Sequence, residues 1–185
     1  GVQTCALPIY GWGVSSLSYQ DIFPKLAKAY KVIAIDLLGF GMSDEPSAPL
    51  FLDDYVDAVH SLLRHLAVNS PLILGHSFGG RIAIRYGVLY PVSALILVGS
   101  AGIKHKSLKT KWKIYKYKLK KYYFKFFNKQ KLQALFASSG SEDYKKASPI
   151  MKQTMSNIID IDLRKDIKKL NVKVLLLWGF HDTTT

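Results

Sequence analysis

Leu72-Ile73-Leu74-Gly75-His76-Ser77-Phe78-Gly79-Gly80 is the stretch on which the fold turns. Pro71 to Leu74 is a short apolar run of the kind that forms a strand covered on both faces. Phe78 to about Tyr90 has helical apolar spacing and stops at Pro91, which cannot continue a helix. Between them lies G-x-S-x-G. A strand, a sharp turn and a helix force Ser77 into strained backbone angles and lift its hydroxyl above the sheet. Gly75 and Gly79 flank it because a Cβ at either position would strike neighbouring backbone, and Gly80 continues the tight approach. The helix beginning after Ser77 aims its positive end at the turn. The Phe78 backbone N–H is then placed to hold a developing oxyanion. His76 reads as part of the turn rather than as a base, because it is adjacent to the serine and points away from it.

The flanking sequence repeats the alternation. Lys31 to Asp36, Ala94 to Val98 and Val172 to Trp178 are further apolar, β-branched runs read as strands. Ile22, Leu26 and Ala29 mark a helix, with Ser18 and Asp21 spaced as a capping pair. Val56, Val59, Leu63 and Leu66 mark another, after Asp53 and Asp54. Strands alternating with helices predict an α/β fold with a doubly wound, mostly parallel sheet. The pattern breaks at residues 104 to 168, which have helical spacing and no strand. They read as a helical cap or lid inserted between core segments 10 to 103 and 169 to 185.

Three more landmarks accompany the turn, and together they resemble the α/β-hydrolase superfamily. Gly11-Trp12-Gly13 resembles the loop that supplies a second oxyanion N–H, here from Trp12, whose side chain can equally serve packing. Asp36-Leu37-Leu38-Gly39-Phe40-Gly41-Met42-Ser43 resembles the D-x-x-G-x-G-x-S turn of that family. Trp178-Gly179-Phe180-His181-Asp182 resembles the W-G-x-x-D segment that ends in the acid of a catalytic triad. The resemblance implies a serine nucleophile at Ser77 and an acid at Asp182, in the chain order nucleophile, acid, histidine. Asp182 also reads as a solvated loop residue. The expected reaction is cleavage of an ester, thioester or similar acyl bond of a small-molecule substrate. Two alternatives stay open: hydrolysis of a carbon–carbon bond, as in meta-cleavage product hydrolases, and a non-catalytic binder that keeps the pocket. No cofactor and no metal is implied, and a single cysteine, Cys5, rules out an intrachain disulfide or a cysteine metal site.

The triad histidine is the missing part. The five histidines are His60, His65, His76, His105 and His181, and none has the expected place after Asp182. The expectation is therefore a fragment of a longer enzyme, inactive by itself. The opposite end is unusual too. Gly1 to Ile9, Gly-Val-Gln-Thr-Cys-Ala-Leu-Pro-Ile, resembles the translation of a short-read sequencing adapter, GGA GTT CAG ACG TGT GCT CTT CCG ATC, followed by T. That T would open codon 10 and turn a histidine codon into the tyrosine codon of Tyr10. Residues 1 to 9 are thus read as non-native and set aside from the fold, which begins at residue 10; the alternative is an ordinary strand, Ala6-Leu7-Pro8-Ile9.

Charge says little about the core. The net charge is +13, but residues 104 to 131 hold 12 lysines and no acid, leaving the rest nearly balanced. Trp112, Tyr115, Leu119, Tyr122 and Phe126 recur at helical steps, with Lys111, Lys118 and Lys125 on another face. An amphipathic lid helix with snorkelling lysines fits this pattern. Weak contact with a membrane surface is the sharper reading. Lysine without arginine, and without a recognition motif, argues against nucleic acid. No run of 18 apolar residues suggests a spanning helix. No charged segment followed by an apolar one opens the chain, so a cytoplasmic location is the expectation.

Overall fold

The computed structural model describes residues 4–103, 112, 115–117, 119, 122–124 and 142–182. Five parallel strands form one sheet in the order β2-β1-β3-β4-β5. They are β1 (Cys5–Ile9), β2 (Lys31–Val32), β3 (Leu72–His76), β4 (Ala94–Val98) and β5 (Val174–Leu177). The helices are α1 (Phe23–Leu26), α2 (Leu52–His65), α3 (Phe78–Leu89), α4 (Glu142–Lys146), α5 (Pro149–Ile159) and α6 (Arg164–Ile167). The doubly wound α/β expectation holds. The chain winds from β1 outward to β2, then returns to place β3 on the other side of β1. The loops after β1 and β3 therefore leave in opposite directions, which opens a crevice at the carboxyl ends of these two strands.

The strands differ from the reading above in two places. Residues 5–9, set aside from a core begun at residue 10, form a central strand, as the alternative reading of Ala6 to Ile9 has it. Ala6, Leu7 and Ile9 are apolar and buried, and they fill the slot between β2 and β3. The run Lys31 to Asp36 forms a ladder only at Lys31 and Val32. Pro8 accounts for this. Lys31 N–H donates to Thr4 O and Ile33 N–H to Ala6 O, so even-numbered residues of β1 face β2. Pro8 is the next in that parity and has no N–H to give.

The helices follow their local signals. Pro24 sits at the first turn of α1, where its missing N–H costs nothing, and the helix is one turn long. Neither Ser18 nor Asp21 caps it, because a separate 3₁₀ turn occupies Ser16–Tyr19. In α2 the Asp54 carboxylate accepts the Phe51 N–H at 2.6 Å. Leu52, Tyr55, Val56, Val59 and Leu63 form its buried face, and Leu66 falls outside the helix and is exposed. Arg85 of α3 ties the elements together. It grips Asp53 of α2 with two nitrogens, at 2.8 and 3.0 Å, and Asp166 of α6 at 2.9 Å. β5 ends the sheet order, and its side chains are exposed rather than buried as the apolar run had suggested.

Two compact units divide the chain: residues 1–103 with 149–185, and residues 104–148. The insertion read as 104–168 thus splits, and α5 and α6 belong with the sheet. Within that unit Thr154, fully buried on α5, accepts the Leu50 N–H at 2.9 Å, and Asn157 donates to Leu50 O at 3.1 Å. In the 104–148 unit Trp112, Tyr115, Leu119 and Tyr122 are helical, and Trp112 meets Tyr115 edge-on at 6.2 Å. Lys111, Lys118, Lys125 and Phe126 lie outside the described residues. Among the described residues, no helix is long and apolar enough to cross a membrane.

Candidate active site

Ser77 joins β3 to α3 with φ 49° and ψ −111°, a conformation that a non-glycine residue seldom takes. Strain of this kind costs on the order of 1–3 kcal/mol and persists only where the surroundings enforce it. The surroundings here are explicit. Ser77 N–H donates to Val98 O at 3.2 Å, and Ser77 O accepts from Gly80 and Ala101 N–H, both at 3.1 Å. A Cβ on Gly75 would lie 2.7 Å from both Gly79 O and the Gly80 Cα. A Cβ on Gly79 would strike Ile9 O, and one on Gly80 would strike the Ser100 hydroxyl. All three glycines are where α3 packs against the strand ends, so no larger residue permits this turn.

The N–H groups of the first helical turn have no partner inside the helix. Gly79 N–H donates to Tyr10 O at 2.9 Å, and that bond fastens the loop after β1 to the start of α3. Among the described residues, no backbone carbonyl accepts from the Phe78 or Trp12 N–H. The side chains of these two residues meet at 5.3 Å, and Phe40 touches both rings, at 4.9 Å from Trp12 and 6.3 Å from Phe78. A cavity of about 300 Å³ opens at Ser77, bounded there by Trp12, Phe78 and Ala101. Its remaining wall is Arg81 of α3 with Met155, Ile158 and Ile159 of α5. Sequence reasoning missed that wall, since α5 bears no motif.

Asp36 organises the neighbouring loop. Its carboxylate accepts from Ser16 N–H at 2.6 Å and Met42 N–H at 2.9 Å, and its carbonyl accepts the Ser43 hydroxyl at 2.6 Å. Burial works against its charge, yet the bonds from Met42 and Ser16 prevail and hold its carboxyl below the usual range. Gly41, at φ 58°, leaves no room for a Cβ beside that carboxylate.

The histidines lie elsewhere. His76 Nδ1 pairs with the Tyr19 hydroxyl at 3.0 Å, in keeping with a place in the turn. His60 stacks on Tyr90 at 3.6 Å, and Phe180 lies edge-on to His181 at 5.0 Å. His65 belongs to α2, and His105 falls outside the described residues. Asp182 follows β5; its N–H donates to Gly179 O at 3.0 Å, and its side chain is exposed. The structure thus brings Ser77, Phe78 and Trp12 together, but neither Asp182 nor a described histidine lines the cavity. Among the described residues, no three His, Cys, Asp or Glu side chains cluster as a metal ion would need.

A parallel sheet with a strained serine turn at its winding crevice defines a hydrolase-type α/β protein. The chain matches the α/β hydrolase fold family over residues 7–150 and belongs to it. It is 39% identical over 97 residues to a 2-hydroxymuconate semialdehyde hydrolase of Pseudomonas sp. strain CF600, a match covering 50% of this chain and 34% of that one. It is 28% identical to the AB hydrolase superfamily protein YisY of Bacillus subtilis, across 94% of this chain and 72% of that protein. A hydrolase from Pseudomonas aeruginosa PA01 superposes with a TM-score of 0.71 at 18% identity, over 99% of this chain and 74% of that one, which shows the shared fold. The chain spans about a third of the length of the first curated relatives it matches.

Proposed function

We propose that the protein is a serine-nucleophile hydrolase of an ester, thioester or similar acyl bond. The observation that carries the reading is Ser77, held at φ 49° and lining one cavity with Phe78 and Trp12, whose N–H groups donate to no backbone carbonyl among the described residues. In this reading the Ser77 oxygen attacks the acyl carbon and its proton passes to a histidine base. The carbonyl oxygen becomes negative and is held by the two N–H groups. The leaving group departs with the proton, and water then releases the acyl group from Ser77. The base in this reading is a histidine oriented by Asp182. A second reading, carbon–carbon bond hydrolysis, draws on the relative named 2-hydroxymuconate semialdehyde hydrolase; it uses the same nucleophile.

The test is acylation. The chain, extended through the histidine of its parent gene, is incubated with p-nitrophenyl butyrate. Release of nitrophenolate that disappears in Ser77→Ala, with the acyl adduct found on Ser77 by mass spectrometry, is the expected result. Turnover that survives Ser77→Ala overturns the assignment.

A further inference from the structure

Arg81 lies one helical turn beyond Ser77 on α3 and lines the same cavity. One terminal nitrogen of its guanidinium donates to Ile161 O at 2.7 Å and the other to Ile159 O at 3.0 Å. These carbonyls are at and just past the C-terminal end of α5, where helix carbonyls lack partners and a cation is favoured. Burial disfavours the charge and holds its pKa below the ordinary value, while the nearby Asp160 and Asp162 offset part of that penalty.

We propose that Arg81 is the specificity-determining residue of this cavity: it latches the end of α5 to the nucleophile's own helix and so sets the depth of a pocket for a neutral, apolar acyl chain. The proposal rests on the acyl-hydrolase reading and names its substrate class. Three observations support it. Both terminal nitrogens of Arg81 donate to backbone carbonyls at the end of α5, which ties the group to that helix. Asp160 and Asp162 nearby offset part of the cost of burying its charge. The rest of the wall, Trp12, Phe78, Ala101, Met155, Ile158 and Ile159, carries no ionisable group. A volume of about 300 Å³ is at the small end for ligand pockets, which suits a short chain. With the latch gone, α5 keeps the contacts of Thr154 and Asn157 with Leu50, and the segment after it keeps the Leu163 N–H bond to Gly102 O, but its last turn loses its tie to α3.

The experiment needs no turnover, so it separates from the hydrolase test. The Gly1–Thr185 chain is titrated with 2-hexanone, 2-decanone and 7-oxooctanoate by ligand-observed NMR, alongside amide hydrogen exchange. Wild type is expected to bind 2-hexanone at least tenfold more tightly than 7-oxooctanoate, and more tightly than 2-decanone. In Arg81→Met, exchange at Ile158 to Leu163 is expected to quicken at least tenfold while Ile73 and Leu95 keep their protection, and the preference for 2-hexanone over 2-decanone is expected to vanish. Arg81→Lys, which can hold one carbonyl at a time, is expected to fall between them. Should Arg81→Met also lose protection in β3 and β4, the lysine variant decides by the same two readings. Unchanged exchange and unchanged chain-length preference overturn the latch. Tighter binding of 7-oxooctanoate than of 2-hexanone, lost on changing Arg81, overturns it too, because Arg81 would then be an anion receptor.

Discussion

Tyr10 carries the one side-chain polar atom among the described residues that is buried without a partner, its hydroxyl. Burial, with Asp36 and Tyr19 nearby, pushes that phenol far above its ordinary pKa, so it stays neutral. Its ring stacks on Tyr19 at 4.7 Å, so the apolar part fits while the hydroxyl goes unanswered. An unmet buried donor costs about 1–3 kcal/mol. Tyr10→Phe is therefore expected to raise the urea midpoint, and a lower midpoint would mean that the hydroxyl is satisfied. The misfit also bears on the codon argument. A histidine codon altered at its first base would put tyrosine in a site not shaped for a phenol. The parent gene, resequenced from independent DNA, is expected to read histidine at position 10 with other residues at 1 to 9. Recovery of Tyr10 after the same nine residues would end that reading. At Ser77 the residue scale was fully legible, because G-x-S-x-G between a strand and a helix permits few backbones. At Tyr10 only the codon hinted at trouble, and the unpaired hydroxyl needed coordinates.

Among the elements, β3, α3 and β4 were readable because apolar runs and a terminal proline bound them locally. β2 was not. Its sequence is apolar through Ile35, but pairing depends on Pro8, more than twenty residues earlier, and no local pattern carries that dependence. Pro8→Val restores a donor facing Ile33 and is expected to lengthen the β1–β2 ladder. The amide introduced at position 8 should then resist hydrogen exchange, and thermal stability should rise; a fast-exchanging amide there would show that something other than Pro8 ends the ladder. α5 was hidden for a different reason. Its helical periodicity was visible, but its partners, Leu50 and Arg81, lie far away in sequence. The junction at Arg85 makes a pH prediction. The hydrogen bond from Arg85, against the opposing effect of burial, holds the Asp53 carboxyl below its ordinary value. A lowered folded pKa stabilises the fold above the unfolded value, near 4, and that stability is lost as pH falls through the folded value. Asp53 is half exposed, so the contribution is small, about 0.2–1 kcal/mol. Asp53→Asn is expected to lower the urea midpoint at pH 7 and leave it nearly unchanged at pH 3. An equal loss at both pH values would point to packing rather than charge.

For the whole molecule, the site is split between what folds locally and what does not. Ser77, Trp12, Phe78 and the described residues that line the cavity with them all belong to the unit that holds the sheet. The proposed acid does not join them among the cavity-lining residues: Asp182 is exposed after β5, and every described histidine is engaged or placed elsewhere. A serine hydroxyl without a base is a poor nucleophile. The Gly1–Thr185 chain is therefore expected to bind neutral ketones yet show no Ser77-dependent turnover of p-nitrophenyl acetate. Turnover removed by Ser77→Ala in this same chain would mean that a base is already present. In the chain extended through its histidine, Ser77→Ala and Asp182→Asn should both lower kcat, the serine change more. Serine supplies the bond-forming atom. The aspartate fixes the imidazole tautomer and steadies its positive form, so its loss leaves the attack itself intact. Catalysis of roughly 10³–10⁴ over water survives loss of a triad member, through the oxyanion groups and binding. His76→Gln should be mild by comparison, since His76 meets Tyr19 and not the serine. Circular dichroism on each variant keeps misfolding apart from chemistry. If folded Asp182→Asn keeps near wild-type kcat, Asp182 is not the acid, and another carboxylate orients the base.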